Sequence, residues 1–169
     1  MNKMLDAFME YLQDVKNTSE NTRLSYGRDL QKLQKFLADK EIEDVTDIRE
    51  EHLREYVAGL EKQGFKATTV SRHIVSIKAF CQFLYERQLI RENIAEGLTA
   101  PKIEKKLPEI LTVEEVELLL EQPDKDTPKG LRDKAMLELL YATGIRVTEL
   151  LELKLPDLYL QLGFFVCGE

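Results

Sequence analysis

The stretch KATTVSRHIVSIKAFCQFLYERQLI, residues 66–90, decides the fold. Its apolar residues recur at three- and four-residue steps, which is the spacing of one stripe on an α-helix. The predicted buried stripe consists of Val70, Ile74, Ile77, Cys81 and Leu84. His73 lies close to this stripe and is not assigned a ligand. The residues expected on the other faces of the helix are Thr68, Thr69, Arg72, Ser76 and Lys78.

The same periodicity predicts three helices upstream. The first carries Leu5, Phe8, Met9, Leu12 and Val15. The second begins after Ser19, a favourable N-cap residue, and carries Tyr26, Leu30, Leu33 and Leu37. The third is expected to begin at a capping box formed by Asp47 and Glu50 and to end at Gly64. We therefore predict a four-helix bundle over residues 1–98.

A different organisation follows the bundle. Residues 99–108 contain two prolines and three lysines, so we predict an extended basic linker. Residues 109–169 are predicted to open a second domain with a capping box at Thr112 and Glu115. A further helix should begin at Pro128 and end at Gly144, and its expected inward positions are Leu131, Ala135, Leu139 and Leu140.

The last apolar residues complete the predicted fold class. Phe164, Phe165 and Val166 follow Gly163 and predict one β-strand, whose partner should come after it in the chain. We therefore expect a mainly α chain that ends in one strand, at the helical start of a mixed α+β domain. Because a lone strand is unstable, we also expect the chain to be a fragment.

Composition excludes several classes of protein. A chain of 169 residues with 43% hydrophobic content can bury a core, and it has no run of 18 apolar residues and no secretory signal. We therefore predict a cytoplasmic protein without a membrane span. Cys81 and Cys167 lack metal-ligand or redox spacing and are interpreted as packing residues in a reducing compartment. No metal or cofactor is predicted.

The charge is distributed in blocks. The net charge of −7 argues against a polyanionic partner at first sight. However, residues 62–106 carry nine basic and four acidic residues, whereas residues 41–61 carry two basic and eight acidic ones. Such alternation indicates a surface with faces of opposite sign, although a charge run is also typical of a simply solvated face.

Arg146 and Glu149 form the pair with the clearest chemical meaning. Their i, i+3 spacing places them on one side of a helix that follows Gly144. One interpretation is a surface ion pair of small energetic value. The other is an arginine that a carboxylate orients to grip two oxygens of a phosphate. The leucines on both sides indicate a largely buried element and favour the second interpretation.

The motif around this pair resembles the first catalytic-arginine motif of the tyrosine recombinases, the phage-integrase and Xer-type site-specific recombinases. The family pattern is T-G-x-R-x-x-E-L followed by D-x-x-x-x-x-G, and it is matched here by Thr143, Gly144, Arg146, Glu149, Leu150, Asp157 and Gly163. Residues 19–37 and 67–102 resemble the second and fourth helices and the interdomain linker of the family's helical, SAM-like core-binding domain. LPEILTVEEVELLL resembles the opening of its catalytic domain.

The resemblance implies DNA strand exchange through a 3′-phosphotyrosyl intermediate, with no metal or nucleotide cofactor. It implies that Arg146 contacts the non-bridging oxygens of the scissile phosphate and that Glu149 orients it. The family's catalytic lysine, its His-x-x-Arg pair and its tyrosine nucleophile have no counterpart in the chain. We therefore expect this fragment to be inactive alone.

The resemblance also implies double-stranded DNA as the partner, with a partly palindromic site bound by several recombinase protomers. The implied DNA contacts are Thr22, Arg23, Ser25, Arg28, Thr68, Thr69, Arg72, Ser76 and Lys78, together with Lys102, Lys105 and Lys106 of the linker. Two alternatives stay open: a non-catalytic regulator that binds DNA, and a helical module that binds protein through its acidic surfaces.

Overall fold

Helices dominate both compact units of the chain, Met1–Lys105 and Lys106–Glu169. The computed structural model describes residues 1–103 and 109–167. The helices of the first unit are α1 (Asn2–Asp14), α2 (Glu20–Ala38), α3 (Glu50–Lys62) and α4 (Ala67–Glu86). The elements of the second unit are α5 (Val113–Glu121), α6 (Pro128–Thr143), α7 (Val147–Glu152), β1 (Leu158–Tyr159) and β2 (Phe164–Phe165). The predicted mainly α class, with four N-terminal helices, is confirmed.

The hydrophobic core of the first unit forms where α4 packs against α2 and α3, and α1 packs against α2. All five residues of the predicted α4 stripe are buried. Phe8 from α1 completes the core, with its ring centroid 5.4 Å from that of Phe80 and 5.3 Å from that of Phe83. Full burial of one such side chain stabilises a fold by about 1.5–3 kcal/mol. Val15 was expected in the core, but it is 66% exposed because α1 ends at Asp14.

Of the three helix boundaries predicted in this unit, the start of α2 and the end of α3 are correct. The Ser19 hydroxyl accepts a hydrogen bond from the Thr22 backbone N–H and caps α2, and Gly64 follows α3 with a φ of +79°. The start of α3 was wrong: its N-cap is Arg49, whose N–H donates to His52 Nδ1, and Asp47 belongs to a preceding 3₁₀ turn. The backbone stays extended at Ile48 because that side chain enters the core at 5% exposure.

The second unit has the predicted helix caps. The Thr112 hydroxyl accepts from the Glu115 N–H, and the Glu115 carboxylate accepts from the Thr112 N–H, at 3.2 and 2.8 Å. Pro128 occupies the first turn of α6, and Gly144 ends that helix in the left-handed region at φ +67°. The expected burial along α6 is only partly correct. Leu139 and Leu140 are half-buried, whereas Leu131 and Ala135 are exposed.

The strand prediction needs a correction. Residues Phe164–Phe165 form β2, but the partner strand precedes them: β1 pairs with β2 antiparallel, with Leu158 opposite Phe165 and Tyr159 opposite Phe164. The rings of Tyr159 and Phe164 stack with centroids 4.6 Å apart. Gly163 ends the turn between the strands with a φ of +70°, a value that glycine adopts without strain.

The predicted linker is only partly described. Residues 99–103 form neither helix nor strand, and Lys102 among them is exposed. The predicted positions Lys105 and Lys106 lie outside the described residues. Across residues 1–103 and 109–167, no helix is both long enough and apolar enough to cross a bilayer.

Candidate nucleic-acid interface

The turn between α6 and α7 fixes the position of Arg146. Helix α6 ends at Thr143, whose hydroxyl donates to the Leu139 carbonyl at 2.6 Å. Gly144 then reverses the chain in the left-handed region, and its N–H donates to the Leu140 carbonyl. This places Arg146 at the N-cap of α7, with extended backbone angles. The arginine therefore projects from a short, hydrogen-bonded corner.

Glu149 binds both the backbone and the side chain of Arg146. One carboxylate oxygen accepts from the Arg146 backbone N–H at 2.8 Å, and the other accepts from Arg146 Nη1 at 2.6 Å. The backbone N–H first, and then the guanidinium, hold the pKa of Glu149 below its ordinary value. The carboxylate thus stays ionised and restricts the guanidinium, which retains N–H groups that a second anion can use.

The expected burial of this corner was wrong. The Arg146 side chain is 80% exposed and Glu149 is 30% exposed. The leucines of α7 suggested a buried element, but among the described residues of the second unit only Gly130 is buried. Exposure of the guanidinium makes it accessible to an anion. It also means that the ion pair by itself contributes little to stability.

A second polar cluster lies inside the first unit, between α2 and α4. Asp29 Oδ2 accepts from Arg72 Nη1 at 2.7 Å and from the Ser76 hydroxyl at 3.0 Å. Asp29 Oδ1 lies 3.2 Å from His73 Nε2, and the Tyr56 hydroxyl lies 3.1 Å from His73 Nδ1. The Asp29–His73 approach is not aligned as a hydrogen bond. No cluster of three or more His, Cys, Asp or Glu side chains suited to a metal occurs in the described part of the chain.

Comparison with known proteins identifies the family. A model of the phage integrase N-terminal SAM-like domain matches residues 5–88, and a model of the phage integrase family matches residues 109–168. The chain belongs to the phage integrase family. It is 41% identical over 168 residues to the tyrosine recombinase XerD of Halalkalibacterium halodurans. The aligned region covers 99% of this chain and 56% of the relative. It is 38% identical to XerD of Staphylococcus haemolyticus, over 97% of this chain and 56% of the relative.

This integrase-family chain spans a little over half the length of those curated relatives. Its fold is similar to that of the Tn1549 transposon integrase, solved in complex with circular intermediate DNA. The TM-score is 0.67 at 19% identity, over 94% of this chain and 51% of that one. At that identity, the likeness supports the fold alone.

The predicted DNA contacts of the integrase-family chain differ in accessibility. The exposed ones are Arg28, Thr68, Arg72 and Lys102, and the half-buried ones are Thr22, Arg23, Ser25, Thr69 and Lys78. Some are already engaged within the unit: Arg23 Nη1 lies 3.4 Å from the Thr18 carbonyl, and Lys78 Nζ lies 3.4 Å from the Glu96 carbonyl. Both donor–acceptor distances are longer than is usual for an N–H···O hydrogen bond, so these bonds are weak.

Ser76 has to be removed from the predicted contacts. The residue is 0% exposed, and its hydroxyl donates to Asp29 and lies 3.0 Å from the Arg72 carbonyl. A side chain enclosed between two helices cannot reach DNA without local unfolding. Its polarity serves the buried carboxylate instead.

Sequence reasoning missed Asp29, although a signal was present. Asp29 stands three residues after Tyr26 and four before Leu33, so it lies on the apolar stripe of α2. A carboxylate at such a position must find donors from another element. Arg72, 43 residues further along the chain, is the permanently charged donor.

Proposed function

We propose that this chain is the DNA-binding part of a site-specific tyrosine recombinase and that Arg146 contributes to strand exchange by holding the phosphate to be cleaved. The reaction would proceed through a 3′-phosphotyrosyl intermediate. Among the six tyrosines, at positions 11, 26, 56, 85, 141 and 159, none matches the family's nucleophile context, so we assign no nucleophile to these 169 residues. The partner would be a partly palindromic duplex bound by several protomers.

One observation carries the proposal: Glu149 restricts Arg146 at a turn, while the arginine side chain remains 80% exposed. A planar guanidinium can form two parallel hydrogen bonds to phosphate oxygens, and fixing it beforehand reduces the entropy lost on binding. Such a donor stabilises the negative charge that develops on a phosphate in the transition state. The family match over residues 109–168 includes this corner.

The basic residues of the two units supply the second part of the proposal. Six cationic candidates lie within the described residues, namely Arg23, Arg28, Arg72, Lys78, Lys102 and Arg146. If five or six of them each neutralise one phosphate, the affinity for duplex DNA should fall by roughly 10³-fold between about 50 and 200 mM salt.

The test is a titration of fluorescein-labelled duplex DNA with the 169-residue chain, followed by anisotropy at several salt concentrations. Arg146→Lys keeps the charge and removes the planar fork, so we expect affinity to fall by about 10-fold or more. Arg132→Lys is the matched control. Arg132 is also exposed and is also paired with a carboxylate, at 2.6 Å from Asp133, and its substitution should change affinity less than about 2-fold. Binding that ignores salt, or an equal effect of the two substitutions, would refute the proposal.

A further inference from the structure

Asp29 is a carboxylate in the interior of the first unit. It is 1% exposed. Within the described residues, the other buried polar side chains are those of His73 and Ser76. Removing a carboxylate from water costs several kcal/mol, which its partners must offset. Replacement of a buried ion pair by apolar residues is often neutral or stabilising. Stability alone therefore does not explain why an ion pair occupies this position.

The ion pair between Asp29 and Arg72 is asymmetric. The carboxylate side chain is 2% exposed, whereas the arginine side chain is 44% exposed, and the two are joined by Nη1 at 2.7 Å. One end of the pair is thus fixed inside the bundle, and the other end reaches the surface. The guanidinium presents its remaining N–H groups from a fixed base.

Among the neighbours of Asp29, Arg72 supplies the positive charge that balances the carboxylate. Burial lowers the pKa of His73, an effect that Asp29 opposes and that Arg72 and Lys32 reinforce, so His73 is neutral at physiological pH. Ser76 donates a hydrogen bond but brings no charge. Departure of the guanidinium would leave a buried anion without a cation. Arg72 is therefore held strongly at Nη1.

This arrangement favours a contact that depends on geometry. A planar fork can also bind a phosphate, but the carboxylate beside Arg72 is 2% exposed and poorly screened by water, so it weakens the attraction of that arginine to a polyanion more than an exposed carboxylate would. The carboxylate adds a fixed orientation of the fork. A fixed fork is what bidentate recognition of a guanine edge requires, since O6 and N7 must meet two N–H groups together.

We propose that Asp29 is a positioning residue that holds Arg72 to read a base edge in duplex DNA, which makes the pair a determinant of sequence specificity. This inference rests on the proposed function as a DNA-binding protein. The carboxylate acts through Arg72 and does not contact DNA itself.

The test is a double-mutant cycle with two probes. One probe is a duplex selected from a random-sequence pool by the wild-type chain, and the other is a shuffled duplex of the same composition. Anisotropy gives the affinity of wild type, Asp29→Asn, Arg72→Ala and the double variant for both probes. We expect Asp29→Asn to lower the ratio of selected to shuffled affinity by roughly 5- to 150-fold. Affinity for the shuffled duplex should stay equal or rise, because the variant has one negative charge fewer.

In the Arg72→Ala background, Asp29→Asn should have no further effect on the ratio, because the residue it positions is gone. An equal drop in both backgrounds would overturn the inference and assign Asp29 a structural role. Parallel losses for both probes would do the same. Ser76→Ala is the matched control: it removes a neutral donor to the same oxygen and should change the ratio less than about 2-fold.

Arg72→Lys keeps the inference falsifiable if Asp29→Asn does not fold. It keeps a cation beside Asp29 and removes the fork, so the ratio should fall as far as in Arg72→Ala, and a retained ratio would overturn the inference. If the wild-type chain enriches no duplex from the pool, the proposed function itself fails, and this inference falls with it. If wild type enriches a duplex but the cycle is additive, only the role of Asp29 fails.

Discussion

Acidification should destabilise the first unit through a single buried histidine. His73 is 0% exposed, and burial is the main cause that lowers its pKa below the ordinary 6.5. Arg72 and Lys32 lower it further, while Asp29 raises it in part. The Tyr56 hydroxyl contacts the opposite ring nitrogen at 3.1 Å. Protonation of His73 in the folded state therefore places a positive charge on a ring that is shielded from water and already in contact with Tyr56 and Asp29.

The sign and size of the effect follow from proton linkage. Just below pH 6.5 the unfolded chain binds a proton at His73 that the folded chain does not bind, so the free energy of unfolding falls as pH falls. One proton gives at most about 1.4 kcal/mol per pH unit. Between pH 6.5 and about 5, the loss should therefore not exceed about 2 kcal/mol. The full stability is present above pH 6.5.

The assay is urea denaturation followed by far-ultraviolet circular dichroism at several pH values between about 5 and 8. His73→Gln removes the titrating group and should flatten the dependence in this window, whatever its effect on the absolute stability. Carboxylates with a lowered pKa, such as Asp44 and Glu149, lose their contribution only as pH falls below their ordinary values of 3.8 and 4.5. A wild type that gains stability on acidification from pH 6.5, or that shares the slope of His73→Gln, would refute this reasoning.

Two further predictions concern packing. Phe8→Ala should lower the free energy of unfolding by about 3–5 kcal/mol, because the ring is 1% exposed in an aromatic cluster. Val15→Ala on the same chain segment should lower it by less than about 0.5 kcal/mol, because Val15 is 66% exposed. The midpoints of urea denaturation compare the two variants. Gly130→Ala should destabilise α5 and α6, because the new Cβ would overlap the Asp124 carbonyl oxygen. Gly59→Ala should stabilise the first unit by about 0.5–1 kcal/mol, because Gly59 lies inside α3 and a Cβ built there has no atom within 4 Å. Hydrogen exchange of peptides from each unit measures the effects of the two glycine substitutions. Equal effects would contradict the packing argument.

Local rules predicted the helices well. The α4 stripe is buried as its spacing required, since helical periodicity fixes which side chains share a face. The ends at Ser19, Thr112 and Gly144 were also predictable, because each is satisfied by backbone groups within a few residues. The start of α3 was not predictable in this way. Burial of Ile48 in the bundle competes with the capping box that Asp47 could have formed, and burial determines the outcome.

Long-range contacts and atypical turns explain the other misses. The partner of Asp29 is 43 residues away, and no local pattern announces it. The hairpin turns through Leu160–Gln161–Leu162, which lacks the Asn-Gly or Asp-Gly signal of tight hairpins, so the upstream strand was overlooked. The exposure of Arg146 was missed because neighbouring leucines were interpreted as evidence of burial, although α7 contains no buried residue.

The corner at Arg146 has a structural explanation that accounts for only one of its two residues. Glu149 at the third position of α7 caps the helix by accepting from the Arg146 backbone N–H, and any N-cap residue with a backbone N–H could donate that bond. The cap therefore explains the glutamate and leaves the arginine side chain without a structural need. Its ion pair at 80% exposure contributes little stability, and serine, threonine, aspartate or asparagine would cap better. A guanidinium that the fold does not require, yet fixes at Nη1, supports our proposal that Arg146 holds a phosphate. For that reason the comparison with Arg132, which is 64% exposed and lies equally close to a carboxylate at 2.6 Å, separates a phosphate ligand from a surface charge.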